Sequence, residues 1–336
     1  MNYHNYCKYN MSTKTLQKLK KCIENFTKKK EIKSILVALS GGQDSILLIK
    51  ILENLNAFYK KELKISYIHI DHQWKNDSNK QIKHIVNYIK SIHKKVVIYQ
   101  IYQTNISENE CRKQRYYILK QHAIKYKYKL IITGHNKTDK IETFLQSIHR
   151  GSGIEGLTSL TIHNRIDSQV FILRPLLSID KENIYWLCKK LHLPIWSDST
   201  NYIYQIRRNR IRYELLPYLK NFLNDKVKDN IISLVKHYHY ENEYIKQNII
   251  KLYLKSKHEL RIAINHKLIS KHNFNLQIRT IQMFYLHNFQ LNFDSKKIIK
   301  IITRINKNFH KIKIILEDAG FIHTLNKTWL YVEIKR

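Results

Sequence analysis

The stretch VALSGGQDSILL, residues 37–48, places a polar turn between two apolar runs. The residues before the turn predict a buried strand, and the apolar residues after it recur with helical spacing. The chain has seven glycines in 336 residues, and two of them, Gly41 and Gly42, stand side by side in this turn. A strand that passes through a glycine turn into a helix N-terminus presents backbone N–H groups to an anion. The stretch therefore predicts an α/β fold with an anion site after its first strand.

Strand and helix patterns continue to alternate after this turn. Two pairs, Ser78 with Gln81 and Ser107 with Glu110, have capping-box spacing and mark helix starts. Further strands are predicted at residues 64–70, 95–102, 129–133 and 170–176. The alternation predicts a Rossmann-like parallel sheet with right-handed crossovers, in which ligands bind beyond the carboxyl ends of the strands.

The alternation ends near residue 219, where long helical patterns begin. We expect an N-terminal extension over residues 1–28, a catalytic α/β domain over 29–218, and a smaller, mainly helical C-terminal domain over 219–336. The tail of the last domain predicts two short strands around Gly320.

The chain carries 60 Lys and Arg against 26 Asp and Glu, a formal net charge of +34. Polyanions are the natural partners of such a chain, although abundant Lys, Asn, Ile and Tyr also indicate an AT-rich gene, which inflates the lysine content. Against that background, four of the thirteen arginines fall within residues 207–212. No apolar run approaches the roughly 18 residues of a membrane span, and the first residues lack the apolar core of a secretory signal.

The cysteines are far apart in the sequence and form no CxxC pair, so the spacing typical of zinc and iron–sulfur sites is missing. We expect reduced thiols in an intracellular protein. The four cysteines are Cys7, Cys22, Cys111 and Cys188.

The hexapeptide SGGQDS, residues 40–45, lacks the lysine of the P-loop GxxxxGK[ST]. It carries Asp44 instead, which repels phosphate unless a divalent cation bridges the two. The hexapeptide resembles the PP-loop, SGGxDS, of ATP pyrophosphatases. This resemblance implies ATP and Mg²⁺, cleavage between the α- and β-phosphates, and an adenylated substrate. The implied ATP-binding residues in the turn are Ser40, Gly41, Gly42, Gln43, Asp44 and Ser45.

Five later stretches, in order and at matching spacing, resemble the tRNA(Ile)-lysidine synthetase family. They are HIDHQW (69–74), SENECRKQRYYIL (107–119), TGHNKTDKIETFLQSIHRGSGIEGL (133–157), RPLL (174–177) and WSDSTNYIYQIRRNRIRYELLP (196–217). The resemblance covers roughly residues 30–220. Three positions depart from the family pattern, namely Asn136, Thr138 and Lys140, and no role is carried over to them.

The matching acids and histidines imply a catalytic set of Asp44, His135, Asp139 and Glu142. Asp44 and Asp139 could share Mg²⁺ at the leaving pyrophosphate, and the alternative for Asp139 is a cap on its own helix. Asp71 and His72 extend the nucleotide site. Asp139 and Glu142 are three residues apart on one predicted helix, so these acids, together with Asp71, are candidates for holding a lysine ammonium group.

Arginines supply the candidate contacts to RNA phosphates, and a merely solvated helix face is the alternative for Arg112 and Arg115. Gly151, Gly153 and Gly156 would let the loop after Arg150 approach an RNA backbone, unless they only end a helix. The candidate tRNA-binding residues are Arg112, Arg115, Arg150, Arg174, Arg207, Arg208, Arg210 and Arg212.

The resemblance implies a ligase that attaches free L-lysine to C2 of the wobble cytidine of a CAU-anticodon tRNA(Ile). The reaction would pass through an adenylated cytidine and give the tRNA isoleucine identity and AUA decoding. A PP-loop tRNA-thiolating enzyme is the first alternative, but it would need catalytic or cluster cysteines. A basic, non-enzymatic RNA-binding protein is the second, and the intact SGGQDS turn argues against it.

The AT-rich composition without a clear transit peptide favours a plastid-encoded protein of the chloroplast stroma, with the bacterial cytoplasm as the alternative. The family resemblance also suggests a homodimer, with a C-terminal domain that binds tRNA and with no membrane partner.

Overall fold

The computed structural model describes residues 3–58, 63–73, 78–102, 108–196, 207–291, 293–305, 313–318 and 320–335. Side chains are described over the same ranges except at 3–13, 108–109 and 313–318. The predicted helix start at Ser107, the motif residue Trp74 and residues 197–206 of the WSDSTN stretch lie outside the described residues.

The chain divides by its internal contacts into two compact units, Met1–Val235 and Lys236–Arg336. The division falls inside one continuous helix, where the sequence shows no break, and it comes later in the chain than the boundary predicted at residue 218. That predicted boundary stays a prediction.

The first unit begins with alternating helices and strands and ends in helices. Its elements are α1 (Tyr3–Lys29), β1 (Ser34–Leu39), α2 (Gln43–Phe58), β2 (Lys64–Asp71), α3 (Ser78–Ser91), β3 (Val96–Gln100), α4 (Glu108–Lys125), β4 (Leu130–Thr133), α5 (Lys137–His149), α6 (Ile154–Leu157), β5 (His163–Arg165), β6 (Phe171–Leu173), a 3₁₀ turn (Pro175–Ser178), α7 (Lys181–Lys190), α8 (Arg207–Arg210), a π turn (Ile211–Leu215), α9 (Leu216–Tyr218), a second π turn (Leu219–Leu223) and the start of α10 (Val227–Ser256).

Six strands form one sheet in the order β3-β2-β1-β4-β6-β5. The pairs from β3 to β6 are parallel, and β5 alone pairs antiparallel, with β6. This confirms the predicted Rossmann-like sheet. The last predicted strand is shorter than expected, because Pro175 has no N–H for the ladder and opens a 3₁₀ turn instead. The sequence did not predict β5, whose three residues are all exposed and show no alternation.

Alternate residues of the central strands face opposite sides of the sheet, as a strand period of two requires. Ile35 and Val37 belong to the core that includes α1, α2, α3 and α7, whereas Leu36 belongs to the core beneath α4. Helices therefore cover both faces of the sheet. Residues 1–28, predicted as an N-terminal extension, contribute Leu19 and Ile23 of α1 to the first of these cores.

The second unit combines helices with a small antiparallel sheet. Its further elements are β7 (Ala263–Asn265), α11 (His266–Ser270), α12 (Phe274–Phe289), α13 (Ser295–Ile305), β8 (Lys313–Asp318), β9 (Phe321–Leu325) and β10 (Trp329–Ile334). The sheet order is β7-β10-β9-β8. Strands β8 and β9 flank Gly320, as predicted, and β7 and β10 were not predicted. Among the described helices, none is both long enough and apolar enough to cross a membrane.

Candidate functional site

The predicted site residues follow three neighbouring parallel strands. The turn 40–45 follows β1, Asp71 ends β2, and Gly134 and His135 follow β4. Because β2, β1 and β4 are adjacent in the sheet, their carboxyl ends bring these segments to one edge. The three segments therefore follow the carboxyl ends of adjacent parallel strands, as the sequence predicted, and their role as a site stays a prediction.

The glycine turn is closed against α3. Gly41 has φ +79°, and a Cβ atom there would lie 3.0 Å from Cδ1 of Ile85, so glycine is required on both counts. The side-chain amide of Gln81 donates to the carbonyl of Ser40 at 2.5 Å. Within the turn, the Ser45 hydroxyl donates to the carbonyl of Gly42 at 2.9 Å. The turn is therefore held from outside as well as by its own hydrogen bonds.

Gly134 lets the end of β4 approach the first turn of α2. A Cβ atom at Gly134 would lie 3.3 Å from the carbonyl carbon and the Cβ of Asp44, and equally close to the backbone nitrogen of Ser45. These neighbours are backbone or the stem of a buried side chain, which cannot move away easily. The close approach brings the residues after β4 beside Asp44.

Asp44 lies in the first turn of α2 with half of its carboxylate unsatisfied. Its Oδ2 accepts from Nδ2 of Asn136 at 3.3 Å, while the buried Oδ1 accepts no hydrogen bond from the described residues. Burial, and then the charge of Asp139, raise the pKa of Asp44 to about 7, although Lys181 opposes the shift. A divalent cation would relieve both the unmet acceptor and the repulsion, and carboxylate oxygen is the donor that Mg²⁺ prefers.

Asn136, one of the three departures from the family pattern, joins the two acids. Its Oδ1 accepts from the N–H of Asp139 at 3.1 Å, and Oδ2 of Asp139 accepts from the N–H of Asn136 at 2.8 Å. These two bonds make a capping box at the start of α5. Asp139 thus has the capping contact that the sequence offered as the alternative to metal binding, and its Oδ1 faces other partners.

Two arginines of the 207–212 cluster pair with the acids of α5. Arg208 lies 2.5 Å from Oδ1 of Asp139 and also donates from Nε to Glu142. Nε of Arg212 lies 2.6 Å from Oε1 of Glu142, and its NH2 lies 3.4 Å from Asp139. Glu142 is fully buried, with both oxygens engaged. Burial alone would raise the pKa of Asp139, but the Arg208 guanidinium holds it below its usual value.

Three further candidate residues, His72, His135 and Asp71, lie at the carboxyl ends of the strands. Nδ1 of His135 lies 2.9 Å from the Thr133 hydroxyl, and burial lowers the pKa of His135 to about 3, so the ring is neutral. Burial, followed by the charge of Arg115, lowers the pKa of His72 to about 4. Asp71 is buried, and its Oδ1 accepts from the N–H of Gln73 at 2.9 Å. Its buried Oδ2 accepts no hydrogen bond from the described residues.

The remaining predicted tRNA contacts differ in exposure. Arg174 is buried and donates to the carbonyl of Thr161 at 3.0 Å and to the hydroxyl of Tyr116 at 3.3 Å. The guanidinium of Arg112 lies 5.8 Å from the ring centroid of Tyr116. The exposed members of the set are Arg115, Arg150, Arg207 and Arg210, of which Arg210 pairs with Glu214 at 2.9 Å.

Sequence reasoning missed Lys181 and an aromatic cleft beside it. Burial, and then the charge of Arg212, lower the pKa of Lys181, while Asp44 opposes the shift. Lys181 also lines a cleft of about 560 Å³ together with Tyr185, Trp186 and Tyr213. In a chain with so many lysines and tyrosines, composition gives no signal for these positions. The position of Lys181 shortly after RPLL was the available clue.

Comparison with known proteins gives the family. The PP-loop domain family matches residues 11–219. The chain is 45% identical, over 89% of its length and 92% of the relative's, to the chloroplastic tRNA(Ile)-lysidine synthase of Gracilaria tenuistipitata var. liui. It is 33% identical, over 90% of both chains, to the chloroplastic tRNA(Ile)-lysidine synthase of Pyropia yezoensis.

Among solved structures, the U34-tRNA thiolase NcsA from Methanococcus maripaludis, which holds a [4Fe-4S] cluster, superposes with a TM-score of 0.57. It covers 72% of this chain and 82% of its own at 20% identity, so this likeness concerns the fold alone. The sequence relatives show to which family of this fold the chain belongs. With its PP-loop domain and these relatives, the chain belongs to the tRNA(Ile)-lysidine synthase family, which confirms the resemblance found in its motifs.

Proposed function

We propose that this protein uses ATP to join free L-lysine to C2 of the wobble cytidine in a CAU-anticodon tRNA(Ile). The observation that carries the proposal is the SGGQDS turn with the open Oδ1 of Asp44, in a chain of this family. In the first step, O2 of cytosine attacks the α-phosphorus, the bond to the β-phosphate oxygen breaks, and pyrophosphate leaves. In the second, the lysine ε-amine attacks C2, loses a proton, and AMP leaves with O2.

The turn binds the phosphates of ATP. The backbone N–H groups at the start of α2 and the hydroxyls of Ser40 and Ser45 are the donors, and the helix dipole favours the anion. The amide of Gln81 donates to the Ser40 carbonyl and so fixes the orientation of that peptide group. These contacts bind and orient the triphosphate before the reaction.

Asp44 is the residue whose Oδ1, which accepts no hydrogen bond from the described residues, would hold Mg²⁺, and a bound Mg²⁺ would neutralise charge on the departing pyrophosphate. Asp139 adds negative charge beside it, but Arg208 and Arg212 occupy its Oδ1. Asp139 would become a second ligand if these guanidinium groups moved to phosphate oxygens, which they bind equally well in a bidentate manner.

Asp71 is our candidate for binding the ammonium group of lysine, because its buried Oδ2 accepts no hydrogen bond from the described residues. Glu142, predicted for this contact, has both oxygens on Arg208 and Arg212, so we propose that it positions those two side chains. The lysine ε-amine must be neutral to attack. We therefore expect the rate of the second step to rise with pH until another step limits it.

The thiolation alternative has little chemical support. Burial raises the pKa of Cys188 to about 12, and its thiol lies 3.5 Å from the Gln43 carbonyl, so a thiolate does not form there at neutral pH. Cys111 is also buried. Within the described part of the chain, no three Cys, His, Asp or Glu side chains come together as a metal-binding group.

The chloroplastic names of the relatives support a plastid location for this protein, and we propose the stroma as its compartment there. We propose that the exposed arginines, Arg115, Arg150, Arg207 and Arg210, contact tRNA phosphates, and that the C-terminal unit adds further contacts. A homodimer, as the family resemblance suggests, stays a prediction.

The test is nucleoside mass spectrometry of CAU-anticodon tRNA(Ile) after incubation with the protein, ATP and isotope-labelled lysine. We expect one labelled lysidine per tRNA, with AMP and pyrophosphate released. A tRNA carrying uridine in place of the wobble cytidine is the matched control and should remain unlabelled. A sulfur-containing nucleoside, or no modified nucleoside with a correctly folded protein, would overturn the proposal.

A further inference from the structure

We propose that the cleft between α7 and the helical segment 207–223 binds an unstacked anticodon nucleotide next to the cytidine that is modified. The inference rests on the proposed function and names a binding site for the substrate of that same reaction. The cleft measures about 560 Å³, within the usual range of ligand sites.

Three partly exposed aromatic side chains line the cleft. Tyr185, Trp186 and Tyr213 are 41%, 46% and 38% exposed. The rings of Tyr185 and Trp186 meet edge to face, with centroids 5.8 Å apart, and Nζ of Lys189 lies 5.5 and 5.6 Å from the two centroids. Exposed rings beside ammonium groups are the arrangement on which single-stranded bases stack.

The charge of the lining favours a polyanion over free lysine. Lys181, Lys220 and Lys228 line the cleft from three separate elements. Among the described lining residues, the carboxylate that faces them is Glu182. A cationic amino acid would be repelled by this excess of positive charge, whereas successive RNA phosphates match charges spread over several elements.

The cleft also opens beside the reacting groups. Gln43 and Thr138 line it, and they are the chain neighbours of Asp44 and Asp139. Arg212 lines it as well and pairs with Asp139. A nucleotide bound here is therefore adjacent to the base that reaches the acids, and stacking on Trp186 would keep it out of the anticodon stack.

The experiment is direct binding, without ATP or lysine, of an anticodon stem–loop RNA. The adenine that follows the wobble cytidine is replaced by 2-aminopurine, whose fluorescence is quenched on stacking, and a second RNA carries the probe on the other side. We expect Trp186→Ala to remove the quenching of one probe and to weaken affinity by about 5- to 150-fold, as loss of one stacked base does. Trp186→Phe should retain most of both.

Phe58→Ala is the matched control, since Phe58 is an exposed aromatic residue at the far end of α2, about 24 Å from the start of that helix. It should bind like the wild type. Unchanged affinity and quenching in Trp186→Ala overturn the proposal. A raised KM for ATP with unchanged RNA binding would assign the cleft to adenine, and an altered oligomeric state with unchanged RNA binding would assign it to a second copy; either result overturns it too.

Because this assay needs no turnover, it separates the two proposals. Quenching in a wild-type protein that forms no lysidine would refute the proposed function alone. Lysidine formation with no effect of Trp186→Ala on RNA binding would refute the cleft alone.

Discussion

The segments that follow the carboxyl ends of β1, β2 and β4 and the helical segment 207–223 hold their polar groups in different ways. At the ends of the strands, backbone conformation and close packing fix Asp44. Gly41 has a positive φ, and a Cβ atom at Gly134 would be in tight contact with the backbone of Asp44 and Ser45. In the segment, long arginine side chains are held by ion pairs with the acids of α5. The first kind of placement is rigid and the second can be exchanged for another anion, which is what a site that binds and releases phosphates needs.

The backbone of segment 207–223 is an irregular helix. Two π turns, Ile211–Leu215 and Leu219–Leu223, flank α9. Pro217 has no N–H and its ring would clash with the carbonyl four residues earlier in a regular α-helix, so a wider turn before it relieves the conflict. The irregular helix directs Arg208 and Arg212 to the acids, while Tyr213 lines the cleft.

The largest expected effect tests the rigid half of the comparison. Asp44→Asn should lower tRNA-dependent pyrophosphate release by at least about 100- to 1,000-fold, the usual cost of losing an electrostatic contact at a reacting phosphate. RNA affinity should stay within about twofold, because Asp44 lies in the turn proposed to bind ATP and not among the proposed RNA contacts. The measurements are pyrophosphate release and filter binding, with the exposed Asp225→Asn as control. Parallel loss of both would show that the turn does not act separately from RNA binding.

The same substitution should alter stability in a pH-dependent manner. The folded-state pKa of Asp44 is raised to about 7, so ionisation of this carboxyl disfavours the folded state. Below the unfolded pKa of about 4, wild type and Asp44→Asn should be equally stable. As pH rises to about 7, the wild type loses stability relative to the variant, and at pH 8 the variant should be more stable by a few kcal/mol. Mg²⁺ should reduce the gap by stabilising the wild type alone.

Chemical denaturation at pH 4, 6 and 8, with and without Mg²⁺, measures this dependence. A constant difference between the two proteins across these pH values would mean that Asp44 is an ordinary solvated acid. A difference that Mg²⁺ leaves unchanged would remove Asp44 as a metal ligand.

The smallest expected effects are changes in the free energy of unfolding. They distinguish arginines of the segment that pair with a buried acid from those that pair with an exposed acid. Arg208→Ala leaves the buried Glu142 with Arg212 alone and should destabilise the protein by about 2–3 kcal/mol, somewhat less than the full cost of stranding a buried charge. Arg210→Ala breaks the exposed pair with Glu214 and should cost less than about 1 kcal/mol. Urea unfolding measures both. Equal costs for the two arginine variants would contradict the comparison.

The sequence was sufficient to predict the parallel strands of the sheet and the edge of the sheet at which the candidate site lies. Strand alternation and the glycine turn are local signals, and β1, β2 and β4 bring Asp44, Asp71 and His135 together because parallel strands end on one side. Asp139 and Glu142 were predicted on one helix and do lie on α5, three residues apart. Such placements depend on periodicity alone.

The partners of those side chains were not predictable in the same way. Arg208 and Glu142 are 66 residues apart in sequence, and nothing local indicates that they pair. A surplus of lysine also conceals Lys181, which differs from the other lysines in the burial that lowers its pKa and in its charge interaction with Asp44. The packing of α1 into the main core was missed because its apolar residues are sparse among Lys and Asn.

The contact of Gln81 and Ile85 with the glycine turn bears on how the site could be transferred to another scaffold. The hexapeptide SGGQDS is read as a self-contained signature, yet its conformation depends on an amide from α3 and on a side chain that fills the space above Gly41. If the six residues alone were grafted between a strand and a helix of another protein, we expect that the graft would carry the sequence of the turn but not its conformation. The smallest unit that we expect to keep its conformation after transfer is larger. It consists of β1, the turn, the start of α2 and the first two turns of α3.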